Sequence, residues 1–421
     1  MKNNNSPVKL FLQEEYAFRR NVLSGKTEYR ELMNTEPTQS ESAQTTAIAT
    51  EATAQSQAQP FQSLTREDLN SIVLNVQDAL PEVKGVGRQV ETIIYSRLTP
   101  DYDPVREWLA NLPAWDGKNH VGALLDRIPG LHSEQRYWMS VWLRSVVAHW
   151  LQADQLHANE VVPTFIGAQG CGKSTFCRLL LPEHLREYFL DHVNLGNKFD
   201  KEMALTNNLL VNIDELDQVP RSKQAELKQL LSKSRVNGRP IYGRTQADRQ
   251  RYASFVATTN NRHPLHDPTG SRRFLCIEIP AGALIDNLTP IDYAQLYAQL
   301  LHELGLSGEA LSQGGGVVPT AERYWFTEDE VRCMQRANAP YQSTLDLERI
   351  VTECFRQPGA DEPCEPLLMP RIVEIVARQY PFIQPTHGTK VQLGMALSTC
   401  GFKMVRDEFA RRYYVIPRDA A

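Results

Sequence analysis

The sequence predicts an α/β protein: a phosphate-loop core on a parallel sheet, a mainly helical domain before it and a winged helix after it. Three observations carry this. Residues 167–174 form a glycine-rich octapeptide between an apolar run and a helical segment. Across 159–280, short apolar runs alternate with helical stretches, the pattern of strands joined by crossover helices. From about 341 onward, three helical patterns are followed by two short strand-like runs.

The chain has 421 residues, enough for two or three folded domains. Residues 1–34 form a short element in which 18–29 alternates around Ser24-Gly25 and reads as a small hairpin. Residues 35–60 are dominated by Thr, Gln, Ala, Ser and Glu. They bury too little to offset their ordering entropy and read as a flexible linker. Residues 61–158 read as a mainly helical domain. Within it, 136–150 places Trp138, Val141, Trp142, Ser145, Val146, His149 and Trp150 near one helical face, a stripe suited to a packed core more than to stacking on bases. Residues 159–285 make the α/β core, 286–340 a helical extension and linker, and 341–421 the winged helix. In that last segment a helix ends at Cys400 with Gly401 behind it, and 402–405 can pair with 412–416.

Composition narrows the function. The formal net charge is −5, so nucleic-acid binding would need a local basic region. The seven cysteines show neither a CxxC pair nor metal-ligand spacing, which fits a reducing compartment without structural zinc. The polar start lacks the apolar core of a signal peptide, and no apolar run approaches the roughly 20 residues that span a membrane. A cytoplasmic protein without a membrane partner is expected.

The octapeptide Gly167-Ala168-Gln169-Gly170-Cys171-Gly172-Lys173-Ser174 matches GxxxxGK[ST] throughout. Its glycines let the backbone curl with N–H groups turned toward phosphate oxygens. Lys173 would reach the β- and γ-phosphates of ATP, and Ser174 would hold Mg²⁺. The expected binding set is Gly167, Gln169, Gly170, Cys171, Gly172, Lys173, Ser174 and Thr175. The run 161–166 supplies the strand, and 173–181 a helix whose N-terminus favours an anion, stopped by Pro182. Pro163 fits a central strand only near its start. The Cys171 side chain is incidental on this reading, with a redox switch as the alternative.

The apolar run 209–213 ends in Asp214 and Glu215, at the C-terminal end where strands of such sheets present ligand groups. Asp214 would hold Mg²⁺ directly or through water, and Glu215 would polarise the attacking water. The strand 252–258 leads to Thr259 and Asn260. Asn260 would orient that water, although a turn-forming Asn260-Asn261 pair explains the same residues equally well. Arg272 and Arg273 precede the strand 275–279. One of them would neutralise charge on the transferring phosphoryl group; a plain surface pair is the alternative.

Residues 221–251 carry nine basic side chains against two acidic ones, in a chain that is acidic as a whole. A helix over 222–233, with Leu227, Leu230 and Leu231 inward, would be followed by a tight turn at Asn237-Gly238. Such a hairpin would offer Lys233, Arg235, Arg239 and Arg244 to phosphates and Tyr242 as a stacking surface. A solvated charged face is the alternative.

Taken in order, Trp115-Asp116-Gly117-Lys118, the loop at 167–174, Asp214-Glu215, Tyr242-Gly243-Arg244, Thr258-Thr259-Asn260 and Gly270-Ser271-Arg272-Arg273-Phe274 resemble one family. It is the virulence-associated protein E (VapE-like) family of phage and mobile-element ATPases, related to superfamily 3 helicases and to the helicase part of primase-helicases. The resemblance covers about residues 65–285. It implies an AAA+/superfamily 3 helicase-like P-loop NTPase core that assembles as an ATP-driven ring, a hexamer by that likeness, and acts on single-stranded or forked DNA beside other replication proteins. By that likeness Lys173 and Ser174 are Walker A residues, Asp214 and Glu215 Walker B, Asn260 the first sensor, and Arg273 or Arg272 the finger from a neighbouring subunit. The region around 393–416 resembles the winged-helix tails of such motors. One departure is that the stretch before the core is too short and linker-rich for the primase domain often found there, so primer synthesis is not expected. Two other readings stand beside the helicase: a nucleotide-gated DNA-binding module that works in regulation or defence without unwinding, and a small-molecule kinase. Asp214-Glu215 and the arginine pair argue against the last.

Overall fold

The computed structural model describes residues 6–32, 59–153, 159–219, 223–238, 247–265, 271–342, 347–359, 362–380, 383, 385–406 and 410–418. They divide into two compact units, 1–342 and 343–421.

The first unit opens with α1 (Pro7–Glu15) and an antiparallel hairpin of β1 (Tyr16–Asn21) and β2 (Thr27–Glu31). The Asn21 side-chain oxygen accepts from the backbone N–H groups of Leu23 and Ser24, which folds the turn. β3 (Gln62–Ser63) adds beside β2, and β4 (Asp101–Tyr102) runs parallel to β1. The helices α2 (Arg66–Ala79) and α3 (Val86–Ile94) share a core with α1 around Val8, Leu12, Ile72, Val76, Val90 and Ile94. Residues 6–32 and 59–102, which the sequence assigns to separate regions, therefore share one sheet and one core. Residues 33–58, nearly all of the expected linker, lie outside the described residues.

Three helices follow: α4 (Pro104–Ala110), α5 (His120–Leu125) and α6 (Ser133–Trp150). Trp138, Trp142 and Trp150 of α6 are buried, so the aromatic stripe is core. Strand and helix then alternate through β5 (Val162–Ile166), α7 (Lys173–Leu179), β6 (Phe189–Leu190), α8 (Lys198–Asn207), β7 (Leu210–Ile213) and α9 (Gln224–Ser232). An antiparallel pair, β8 (Arg235–Gly238) and β9 (Ala247–Gln250), precedes β10 (Ser254–Thr259) and β11 (Phe274–Glu278). Five of these strands form a parallel sheet in the order β11-β5-β10-β7-β6. Both faces are covered, as a parallel sheet requires. Phe165, Leu275 and Ile277 join the core built on α6, whereas Val162, Ile166, Val211 and Phe255 join one containing Leu227, Leu230 and Leu231 of α9. Pro163 is the second residue of β5; it pairs with Leu275, while the ladder to β10 begins only at Thr164. A missing N–H is tolerated there.

Beyond the sheet, α10 (Tyr293–Glu303), α11 (Gly308–Ser312) and α12 (Glu328–Ala337) return to the earlier helices. Trp142, Leu300, Leu304 and Met334 lie in one core, and Arg144 pairs with Glu303 at 2.9 Å. Residues 291–338 thus belong to the packing of the sheet rather than to a linker.

The region after α9 departs from expectation. Asn237 and Gly238 lie within β8, opposite Asp248 and Ala247, so the tight turn is not formed there. The strands are joined through 239–246, outside the described residues, which removes Arg239, Tyr242 and Arg244 from structural description. Arg251, counted among the basic side chains, is 2% exposed. Its guanidinium donates to the carbonyls of Leu231, Lys233, Ala253 and Asn159, and burial lowers its pKa to about 10. It is a brace within the fold.

The second unit is built on α13 (Leu347–Cys354), α14 (Met369–Gln379) and α15 (His387–Thr399). Its strands are β12 (Phe355–Arg356), β13 (Leu367–Leu368), β14 (Met404–Arg406), β15 (Arg411–Tyr413) and β16 (Ile416–Pro417). β13, β15 and β14 form an antiparallel sheet, and β12 pairs with β16. Val351, Phe355, Ile372, Val376, Leu393, Leu397 and Tyr413 make the core. Among the described residues no helix is long and apolar enough to cross a membrane.

Arg251→Met would leave four carbonyls in or near the core without their donor. It is expected to destabilise the first unit by about 3 kcal/mol, seen as a lowered thermal midpoint in calorimetry; an unchanged midpoint would show that the brace is dispensable.

Candidate functional site

Three neighbouring strands end together. β10 lies between β5 and β7, with Thr259 opposite Ile166 and Ala257 opposite Ile213. The loop 167–172, Asp214-Glu215 and Thr258-Thr259-Asn260 therefore meet at one edge of the sheet. A cleft of about 340 Å³ is lined there by Gln169, Gly170, Gly172, Lys173, Ser174, Thr175, Asp214, Glu215, Thr258, Thr259 and Asn260.

The loop is closely fitted. Gly170 (φ 82°) and Gly172 (φ 91°) are left-handed, a conformation costly for other residues. A side chain at Gly172 would also strike Asn287, and one at Gly167 would crowd Ile279 and Cys171. Lys173 is 7% exposed; its ammonium donates to the carbonyls of Gly167 and Ala168, each at 2.8 Å, and to Asn260 Oδ1 at 2.9 Å. The Cys171 sulfur lies 3.7 Å from Lys173 Nζ and is buried. Behind the loop, burial, reinforced by the charges of Asp191 and Asp214, raises the Cys177 thiol well above its ordinary range.

The acidic side is tied to β10 by hydroxyls. Thr258 donates to Asp214, and Thr259 donates to Asp217 at 2.5 Å. Glu215 is left-handed (φ 51°) and exposed, its carbonyl accepting from Gln218 N–H at 2.7 Å. It borders the cleft and also a neighbouring depression of about 350 Å³ lined by His192, Asn194 and Lys223. Ser174 and Asp214 both line this cleft, and both carry oxygens of the hard kind that magnesium takes. Asp217 was not singled out in the sequence; its only signal is its place one turn beyond Asp214.

The arginines lie elsewhere. Arg272 and Arg273 stand immediately before β11, whose first residue pairs with Val162 at the start of β5, while the loop follows Ile166 at its end. The length of β5, roughly 13 Å, separates them along the sheet. Arg273 instead meets Glu160 at 3.3 Å and Ser232 Oγ at 2.9 Å, and Arg272 is exposed. Desolvation, then the charges of Arg273 and Arg272, lowers the Lys228 pKa, so three cations gather here. Of the expected nucleic-acid contacts, Lys233 is half-buried and Arg235 exposed at the start of β8.

A family model for the virulence-associated protein E-like domain matches residues 109–338, more than half of the chain and all of the cleft. The chain belongs to the VapE-like family. No curated protein matches its sequence. Among solved structures, the apo form of the NrS-1 C terminal region is similar to this VapE-like chain at 13% identity and a TM-score of 0.41, covering 99% of this chain and 100% of that one. An A form of the same region aligns at 12% identity and a TM-score of 0.39, covering 97% and 98%.

Gly172→Ala would add strain at a left-handed residue and a clash with Asn287. The loop is expected to lose about 1–3 kcal/mol of local stability, read as faster amide exchange over 167–175; unchanged exchange would contradict this.

Proposed function

We propose that this VapE-like chain hydrolyses ATP and works on DNA as a ring of identical subunits in the replication of a phage or mobile element. The observation that carries the reading is the convergence of Lys173, Ser174, Asp214 and Asn260 on one cleft behind a full GxxxxGK[ST] loop. The loop N–H groups and Lys173 would bind the phosphates. Ser174 and Asp214 would hold Mg²⁺, which would supply positive charge to the phosphates. Glu215 would take the proton of the attacking water and Asn260 would orient that water. Thr258 positions the Asp214 carboxylate.

The distance along β5 implies that neither arginine serves the loop of its own chain. Arg273 is held by Glu160 and Ser232, so Arg272 is the better candidate for the finger presented to the next subunit. Lys233 and Arg235, at and just before the start of β8, would contact DNA together with Arg239, Tyr242 and Arg244. In the second unit, three helices followed by the β14–β15 pair support a winged helix. The proposed division is an N-terminal body, the ATPase core with its helices, and this tail, in a cytoplasmic protein.

Steady-state ATP hydrolysis with and without single-stranded DNA tests the reading. DNA is expected to stimulate turnover, and Lys173→Ala to lower it by at least about 100-fold. Hydrolysis indifferent to DNA would favour a nucleotide-gated binding module, and no hydrolysis at all would overturn the ATPase reading.

Arg272→Ala is expected to lower turnover by about 10³-fold while ATP binding persists. Mixed with a Lys173→Ala chain, it should recover part of the activity, since one chain then offers an intact loop and the other an intact finger. No recovery would count against action between subunits.

A further inference from the structure

We propose that a groove in the second unit, between α14, α15 and β15, docks an acidic peptide segment of a partner protein, one that carries a bulky apolar side chain. The groove has a volume of about 680 Å³. Leu368, Val391 and Met395 make its apolar walls, and Met395 is 64% exposed. Val391 and Met395 stand one helical turn apart and so present one face of α15. Lys390 and Arg411 also line the groove, and no acidic side chain does. Neither cation has an ion-pair partner among the described residues. Arg406, also exposed, lies directly opposite Arg411 in the β14–β15 ladder. Like charges so placed repel each other, and an arriving carboxylate relieves that repulsion.

The floor supplies a directional contact. Tyr413 is 2% exposed, and its hydroxyl ends beside Gly394, where an added Cβ would come within 3.0 Å of it. A residue without a side chain thus leaves the hydroxyl uncovered. That hydroxyl makes no hydrogen bond among the described residues and is not sealed off, so it opens on the groove that both residues line. The nearby hydroxyls of Ser398 and Thr399 already donate to the carbonyls of Gly394 and Met395. A phenol held in this way gains most from a charged acceptor. Nucleic acid would match only half of the surface: its phosphates would meet Lys390 and Arg411 and leave Val391 and Met395 in water. A peptide with carboxylates beside a leucine or phenylalanine covers the walls, answers the cations and accepts from Tyr413. The unbranched, polarisable side chains of Met369 and Met395 can adapt to such a guest.

The test is fluorescence anisotropy of labelled octapeptides added to the full chain. A peptide alternating glutamate with leucine is expected to bind at least about tenfold more tightly than one alternating glutamate with serine, or lysine with leucine. Tyr413→Phe, which keeps the packed ring, should weaken the first peptide about fivefold. Arg411→Glu and Met395→Glu, both at exposed positions, should each weaken it at least about tenfold and leave the thermal midpoint unchanged. Equal binding of the glutamate–leucine and glutamate–serine peptides, a comparison that needs no variant, would overturn the proposal. So would an absence of binding, or binding indifferent to Tyr413→Phe. A labelled DNA duplex whose affinity falls in Met395→Glu and Arg411→Glu, where the peptide does not bind at all, would assign the groove to nucleic acid instead.

Discussion

The site depends on one constraint, the placement of β10 between β5 and β7. Neighbouring strands of a sheet lie about 4.8 Å apart, so the loop strand and the acidic strand are held roughly 10 Å apart with a third tip between them. That tip is the hub. Asn260 receives a hydrogen bond from Lys173 on the loop side, while Thr258 and Thr259 bond Asp214 and Asp217 on the acidic side. Successive strand residues point to opposite faces. Both hydroxyls nonetheless find a carboxylate, because the short helical turn after Glu215 carries Asp217 round to the second one. The left-handed backbone of Glu215 begins that turn. The strand order thus fixes the spacing, and two threonines fix the carboxylates within it.

The segments around the sheet are fastened chiefly by arginines bound to backbone carbonyls. Arg251 joins the end of α9, the entry to β10 at Ala253 and Asn159 before β5. Arg127 holds 286–290, and Arg144 links the Arg323 carbonyl with Glu303. One guanidinium has five donors in a rigid fork and can satisfy several carbonyls that irregular backbone leaves unpaired. Water would satisfy these carbonyls less rigidly. The consequence reaches the cleft, since the segment held by Arg127 is the one that supports Cys171 and Gly172 from behind.

Local patterns made much of this legible in the sequence. Gly167 to Ser174 matches a spacing set by phosphate geometry, and the apolar runs ending at Asp214 and Asn260 could be read as strands with polar tips. Leu227, Leu230 and Leu231 were legible by helical period, and they are buried in α9. Non-local pairings were not legible. Asn237-Gly238 is a strong turn signal, but its pairing with Asp248 and Ala247 draws it into a strand. Nothing near Arg20 announces that it will lie beside Asp101 in parallel, and so the N-terminal body was divided. The charge count gathered Arg251 into the basic stretch, whereas the carbonyls of Leu231, Lys233 and Asn159, distant in sequence, make it interior.

On the proposed reading, the sheet also explains why the two adjacent arginines would divide their labour. Both stand at the edge opposite the cleft, where Lys228 adds a third positive charge. Such a cluster needs an anion. Glu160 meets Arg273 from within the fold at 3.3 Å, and Ser232 adds a hydrogen bond at 2.9 Å. Arg273 therefore spends its directional donors on the junction of α9 with the start of β5. Arg272 is carried on the same short turn but faces solvent. A guanidinium so placed has its backbone fixed by its neighbour's bonds, and the entropy lost on engaging a phosphate is correspondingly reduced. An arginine that buttresses the turn and one that is presented from it are different uses of one sequence pair, and only the second suits a charge arriving from another subunit.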